Sequence, residues 1–448
     1  MKNITIDFTK ICGKVKPMHA VNNGPVYKFA VDQRITNMPA WKEAGIPYAR
    51  THDSAFYGNY GGPHTVDVNL IFTNFDADPY DEASYDFACT DEYFRVIDYS
   101  GSKIFYRLGA SIEHYIKKYN TLPPKDFKKW AIICEHIIRH YTEGWANGFK
   151  YDIEYWEIWN EPDLDPDDST NKRTWGGTKL QFFDLYETAA KHLKECFPHL
   201  KIGGPALCCD LDWARHFLKE MKKRGAAVDF FSWHRYAYEP VFIAETAQTI
   251  RNILDQEGFE NTESINNEWN YVKGWSGDEW LYSLRSEKNL KGSSFILGTM
   301  CACSYAPIDM LMYYDARPCG MNGMFATDFV CDCLKGYYPF KMFNELYKLD
   351  NTVAVKNDTN LLSAAAVGEN KAAVIFTHFC DNDETPTEKV KLNMQGFGGE
   401  NGVKASHYLL DSDKDLELVK EEILSGDNFA TVLESELYSS YLVILEKI

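Results

Sequence analysis

Basic residues are in short supply: 47 Lys and Arg stand against 65 Asp and Glu, for a net charge of −18. Phosphate backbones are bound by clustered Lys and Arg, so nucleic acid is excluded as a partner. Anionic membrane surfaces are excluded on the same ground. Long apolar runs are missing too. None approaches the roughly 20 residues of a membrane-spanning helix, and the opening Met1–Asp7 carries no apolar stretch of the kind a secretory signal needs. His-x-His does not occur, which removes the first-strand signature of a metal-dependent barrel hydrolase. There is no phosphate-cradling glycine loop, no Walker sequence, no internal repeat and no low-complexity segment.

The 12 cysteines are scattered through predicted helices and strands. They read as reduced, packed thiols, and the expected setting is the cytoplasm. The remaining metal patterns fall short. Asp163, Asp165, Asp167 and Asp168 lack the Gly and Glu of a calcium loop. His136 and His140 share a helix face without the Glu of H-E-x-x-H, and Cys301-x-Cys303 and Cys331-x-Cys333 lack the gap of a zinc site. The sequence therefore predicts no metal and no cofactor.

What is abundant is aromatic. The share is 15%, with 11 Trp and 28 Tyr. Sugar faces stack on such rings, and large barrels also bury many of them. Strand-like and helix-like segments alternate, the signature of a parallel sheet with crossover helices. Eight strands are expected at Pro17–Val21, Pro47–His52, Lys103–Leu108, Ile153–Trp159, Lys201–Pro205, Val228–His234, Ser264–Glu268 and Asp309–Tyr314. Helices are expected at Lys125–Tyr141, Leu180–Cys196, Asp212–Lys223, Ala244–Gln256 and Phe329–Leu349. The fold class is a (β/α)8 barrel over residues 13–350 with an accessory β-sandwich over 351–448. Five short strands mark the sandwich: Leu361–Val367, Lys371–Phe379, Lys389–Leu392, His407–Leu410 and Tyr438–Leu445. Residues 1–12 read as a strand that packs on it. The long stretch Ser54–Thr90 reads as one wall of the pocket.

The run Tyr155-Trp156-Glu157-Ile158-Trp159 ends abruptly in Asn160-Glu161-Pro162. A carboxylate at the C-terminal end of a barrel strand faces the reaction chamber. Glu268 closes the seventh strand in the same way, and strands four and seven face each other across the mouth. Two facing carboxylates are the minimum equipment for breaking a glycosidic bond. Asn160 can bond a sugar 2-hydroxyl, Arg50 and His52 end strand two, and His234 and Tyr236 end strand six. A cation keeps a nearby carboxylate ionised, and a tyrosine hydroxyl can hold a nucleophile in line. Glu157 and Glu263 fall earlier on their strands and are read as facing the helix layer or the lower end of the barrel.

This set (Arg50-x-His52, Asn160-Glu161-Pro162, His234-x-Tyr236 and Glu268), together with the opening Pro17–Pro25, resembles the retaining glycosidases of clan A. Within that clan it is most similar to glycoside hydrolase family 39, the β-xylosidase and α-L-iduronidase family. The resemblance implies that Glu161 is the acid/base and Glu268 the nucleophile. Asn160, Arg50, His52, His234 and Tyr236 become substrate or nucleophile partners, with Trp269 and Tyr314 added as substrate contacts. Strand eight, Met312–Pro318, departs from the family's Trp- and Phe-rich run. The expected activity is exo-cleavage of plant-type oligosaccharides, first as a β-xylosidase, next as an arabinosidase. A non-catalytic carbohydrate-binding protein is the rival of another class. An oligosaccharide is the expected partner, and a homo-oligomer is left open.

Overall fold

A computed structural model describes residues 1–27, 29, 36–53, 65–208, 210–327 and 331–448. Eight parallel strands close a barrel: β2 (Ala20–Asn22), β3 (Tyr48–Thr51), β4 (Lys103–Leu108), β5 (Tyr155–Ile158), β6 (Lys201–Leu207), β7 (Phe230–His234), β8 (Glu263–Trp269) and β9 (Met310–Tyr313). These are the eight strands that the alternating pattern predicts. Residues 54–64 of the expected pocket wall lie outside the described residues.

Because side chains alternate in and out along a strand, the barrel interior is built in layers. The lowest is apolar: Ala20, Phe105, Tyr155, Phe230, Ile265, Met310 and Met312 form one buried cluster, with Tyr48 against it. Two residues further along the same strands stand Asn22, Arg50, Glu157, Ser232 and Asn267, all fully buried. Glu157 thus faces the interior, not the helix layer. It has the same parity as Tyr155, and its charge is met there by Arg50 Nε at 2.8 Å and Ser232 Oγ at 2.6 Å. Glu263 does sit low, paired with Lys201 at 2.5 Å. The opposite parity, including Trp156, Ile158, Phe231 and Trp233, packs outward into the main apolar core.

The helices bury one stripe each. Phe127–Thr142 starts where the Asp126 carboxylate accepts from the Lys128 and Lys129 amides, and it buries Trp130, Ile133, Ile137 and Tyr141. Lys179–Cys196 opens with a reciprocal Thr178/Gln181 capping box. The last helix spans Tyr338–Tyr347, later than the expected Phe329 start. Pro339 lacks an amide donor and fits only the first turn, so the helix begins beside it. His140 Nε2 donates to Asp91 Oδ1 and its ring stacks on Phe87 at 3.6 Å, so it is spent on packing. No helix among the described residues is long and apolar enough to cross a membrane.

The remaining strands form one continuous nine-stranded sheet. It contains β1 (Lys2–Lys14), β10 (Asn351–Asn357), β11 (Leu361–Val367), β12 (Lys371–His378), β13 (Glu388–Gln395), β14 (Val403–Leu410), β15 (Asp415–Leu424), β16 (Asn428–Ser435) and β17 (Ser440–Lys447). β1 pairs with β10 on one side and β13 on the other. All nine contribute to one apolar cluster, so the sheet folds over its own core. Sequence reading overlooks β10, β15 and β16. β15 is an edge strand whose Glu417, Lys420, Glu421 and Glu422 mask its alternation, a common way of blunting an edge.

Candidate active site

At the C-terminal mouth of the barrel, Glu161 follows β5 and Glu268 sits near the end of β8. An oxygen from each and the Nδ1 of His234 all lie within 4.8 Å of one another. Local backbone geometry aims both carboxylates. Trp159, Glu161 and Ala206 have φ of 74°, 46° and 56°, values that L-residues adopt at a cost. The turn is held by the Glu161 amide, which donates to Ala206 O at 2.9 Å. On β8, Trp233 pairs with Asn266 but His234 pairs with Glu268, so Asn267 is an extra residue. This bulge lets two consecutive side chains, Asn267 and Glu268, turn to the interior.

The two carboxylates live in different surroundings. Glu268 accepts from Arg50 Nη1 at 2.9 Å and from the Tyr236 hydroxyl at 2.9 Å. Arg50 is fully buried, donates to Asn160 Oδ1 at 2.7 Å and pairs with Glu157 at 2.7 Å. Burial raises Glu268 and outweighs the opposing pull of its neighbours, Arg50 among them. Glu161 is held by His234 Nδ1 at 2.7 Å. Its burial dominates, opposed by Arg50 and a Cys208 thiol contact, and it is pushed up to about 7. Burial holds His234 below the usual histidine range. The two acids differ in their partners, Arg50 and Tyr236 at Glu268 and His234 at Glu161, which suits unlike roles.

His52 is buried, with Nε2 3.5 Å from both Glu268 and Asp53. Arg107 Nε donates to its Nδ1 at 3.2 Å, so the ring proton resides on Nε2, toward the two carboxylates. Tyr314 reaches the site as expected and donates to Asp53. Trp269 does not. Past the bulge the in–out alternation resumes, and the Trp269 ring is buried against Phe295 and Tyr313 in the core. Sequence reasoning misses Asp53, a third carboxylate, although it directly follows His52. It also misses the supporting pair Asn22 and Asn267, whose only signal is strand parity.

The spacing of Glu161, His234 and Glu268 also suits a cation. The Arg50 guanidinium already supplies positive charge at Glu268, which disfavours a second one. Glu135, His192 and Cys196 form another compact group, where Arg139 occupies Glu135 at 2.8 Å.

A (β/α)8 barrel opening on two close carboxylates is the architecture of a glycoside hydrolase. The model of Glycosyl hydrolases family 39 matches residues 40–281, more than half of the chain, and the chain belongs to that family. A stretch of 126 residues, 27% of the chain, is 36% identical to a β-xylosidase of Geobacillus stearothermophilus and covers 22% of it. A longer stretch of 254 residues, 53% of the chain, is 28% identical to a β-xylosidase of Caldicellulosiruptor saccharolyticus and covers 47% of it. The chain thus spans less than half the length of either relative. Over the whole chain and 99% of its counterpart, the fold is similar to a glucosidase structure from Croceicoccus marinus, with a TM-score of 0.78 at 18% identity.

Proposed function

We propose that this chain is a retaining exo-glycosidase that releases xylose from short plant-type oligosaccharides. The observation that carries the mechanism is the approach of the Glu161 and Glu268 oxygens to within 4.8 Å. A separation near 5 Å leaves no room for a water behind the sugar, which an inverting enzyme needs at roughly 6.5–9.5 Å. Glu161 protonates the glycosidic oxygen while a Glu268 oxygen attacks the anomeric carbon. The carbon–oxygen bond breaks and a glycosyl ester forms. Glu161, now a base, takes a proton from water, which attacks the same carbon and frees Glu268. Arg50 favours the ionised form of the nucleophile, Tyr236 holds it in line, and Asn160 serves the 2-hydroxyl.

Two β-xylosidase relatives favour xylose. The charges favour a neutral sugar over a uronate. Arg317 is spent on Asp315 at 2.8 Å and on the Asp53 carbonyl at 2.6 Å, and Lys273 is spent on Asp381 at 2.8 Å. The described cysteines are free thiols, which suits a reducing compartment such as the cytoplasm.

The test is a panel of nitrophenyl xyloside, arabinosides, galactoside and glucoside across pH. The β-xyloside is expected to be the best substrate. Glu161 acts only when protonated, and its raised value keeps the proton on up to near pH 7. kcat/KM for the free enzyme should therefore fall as pH rises through about 7. A basic limb near 4.5, or the absence of any turnover, contradicts the reading.

A further inference from the structure

Trp275 is 61% exposed, although it carries the largest apolar side chain type, and it stands beside the reaction centre. Its ring meets Tyr236 edge-on with centroids 5.0 Å apart, and Tyr236 bonds Glu268. It also stacks on Trp280, with centroids 5.4 Å apart and planes 24° apart. The loop presenting it is anchored at several points. Val272 N donates to Ala237 O at 2.9 Å, Lys273 N to Ser283 Oγ at 2.9 Å, and Lys273 Nζ to Asp381 at 2.8 Å. The loop thus holds an exposed indole one ring away from the nucleophile, with Tyr236 between Trp275 and Glu268.

Among the described residues, two groups at the mouth differ in chemistry. One is built from Asp53, His52, Tyr314 and Arg317, whose polar groups bond one another and are largely buried. The other is the aromatic row Tyr236, Trp275 and Trp280, half-buried at its ends and exposed at Trp275. A terminal sugar is recognised hydroxyl by hydroxyl and is enclosed, which matches the polar wall. A departing sugar must escape into water and offers the C–H face of its ring, which matches the aromatic row.

We propose that Trp275 and Trp280 form the leaving-group subsite, stacking on the apolar face of the pyranose that departs. The proposal rests on the glycosidase reading above and adds where the second sugar of the substrate lies. The experiment compares wild type, Trp275→Ala and Trp275→Tyr on two substrates: xylobiose, whose leaving group is a sugar ring, and β-xylosyl fluoride, whose leaving group is a single ion. On xylobiose, Trp275→Ala is expected to raise KM about five- to tenfold, the scale of one aromatic contact. kcat should stay within about twofold, the mark of lost binding rather than lost chemistry. Trp275→Tyr should keep most of the affinity, and in both variants kcat/KM on the fluoride should fall less than on xylobiose. An equal loss on the fluoride would put the stacked ring on the terminal sugar and overturn the proposal. No change on xylobiose would also overturn it. Wild type that turned over the fluoride but not xylobiose would keep the reaction and remove the subsite. Wild type inert toward both would defeat the glycosidase reading and this proposal with it.

Discussion

Replacing Glu268 with alanine is expected to lower kcat on every glycoside by on the order of 10⁴-fold or more, about 5.5 kcal/mol of barrier. The loss should not depend on the leaving group, because the missing group is the one that attacks carbon. The variant is expected to fold. Arg50 keeps Glu157 at 2.7 Å, so the buried guanidinium is not left without a partner, and an unchanged thermal transition checks this. Azide added to the variant can occupy the vacated space and attack the same face of the sugar. The product is then the glycosyl azide of inverted configuration. Appreciable residual kcat, or a retained azide, would reject Glu268 as the nucleophile.

Glu161→Ala separates the second role. Removing a general acid costs typically 10²–10⁴-fold, and the cost grows with the need for protonation. Alkyl xylosides and xylobiose should lose that full amount in kcat/KM, while a dinitrophenyl xyloside, which leaves unassisted, should lose little. Azide is expected to restore turnover by attacking the glycosyl ester, now giving the azide of retained configuration. The opposite configurations from the two variants distinguish acid/base from nucleophile within one assay. A uniform loss across leaving groups would remove Glu161 from the acid role. His234, 2.7 Å from Glu161, is positioned to share its proton and is neutral in its buried setting, so the variant also relieves that contact without leaving a buried cation.

Much of this site is legible in the sequence alone. Glu161, Asn160, Arg50, His52, His234 and Glu268 lie at or next to strand ends, and a parallel barrel sends strand ends to one mouth. Tyr236 lies two residues past β7 and still arrives because its neighbour Ala237 bridges to Tyr271. What is not legible follows from geometry that patterning does not carry. Glu157 reads as an ordinary strand acid, yet the parity it shares with Tyr155 sends it into the barrel, where Arg50 satisfies two carboxylates at once. Trp269 reads as a sugar platform because it neighbours Glu268, and the alternation that resumes past the bulge turns it away. The exposed aromatic beside Tyr236, Trp275, lies in a loop, where no periodicity reports exposure. In the smaller sheet, β15 escapes notice because an edge strand carries charge where an inner strand carries apolar residues.

In the proposed reaction the anomeric carbon is attacked twice from opposite faces, first by Glu268 and then by a water that Glu161 deprotonates. Proton NMR of the first sugar released from a β-xyloside, recorded before the product equilibrates, reads this directly. The β-anomer is expected to form first and to convert slowly to the equilibrium mixture. An α-anomer as the first product would mean a single displacement by water, and Glu268 would then be no nucleophile and Glu161 no partner to a covalent intermediate.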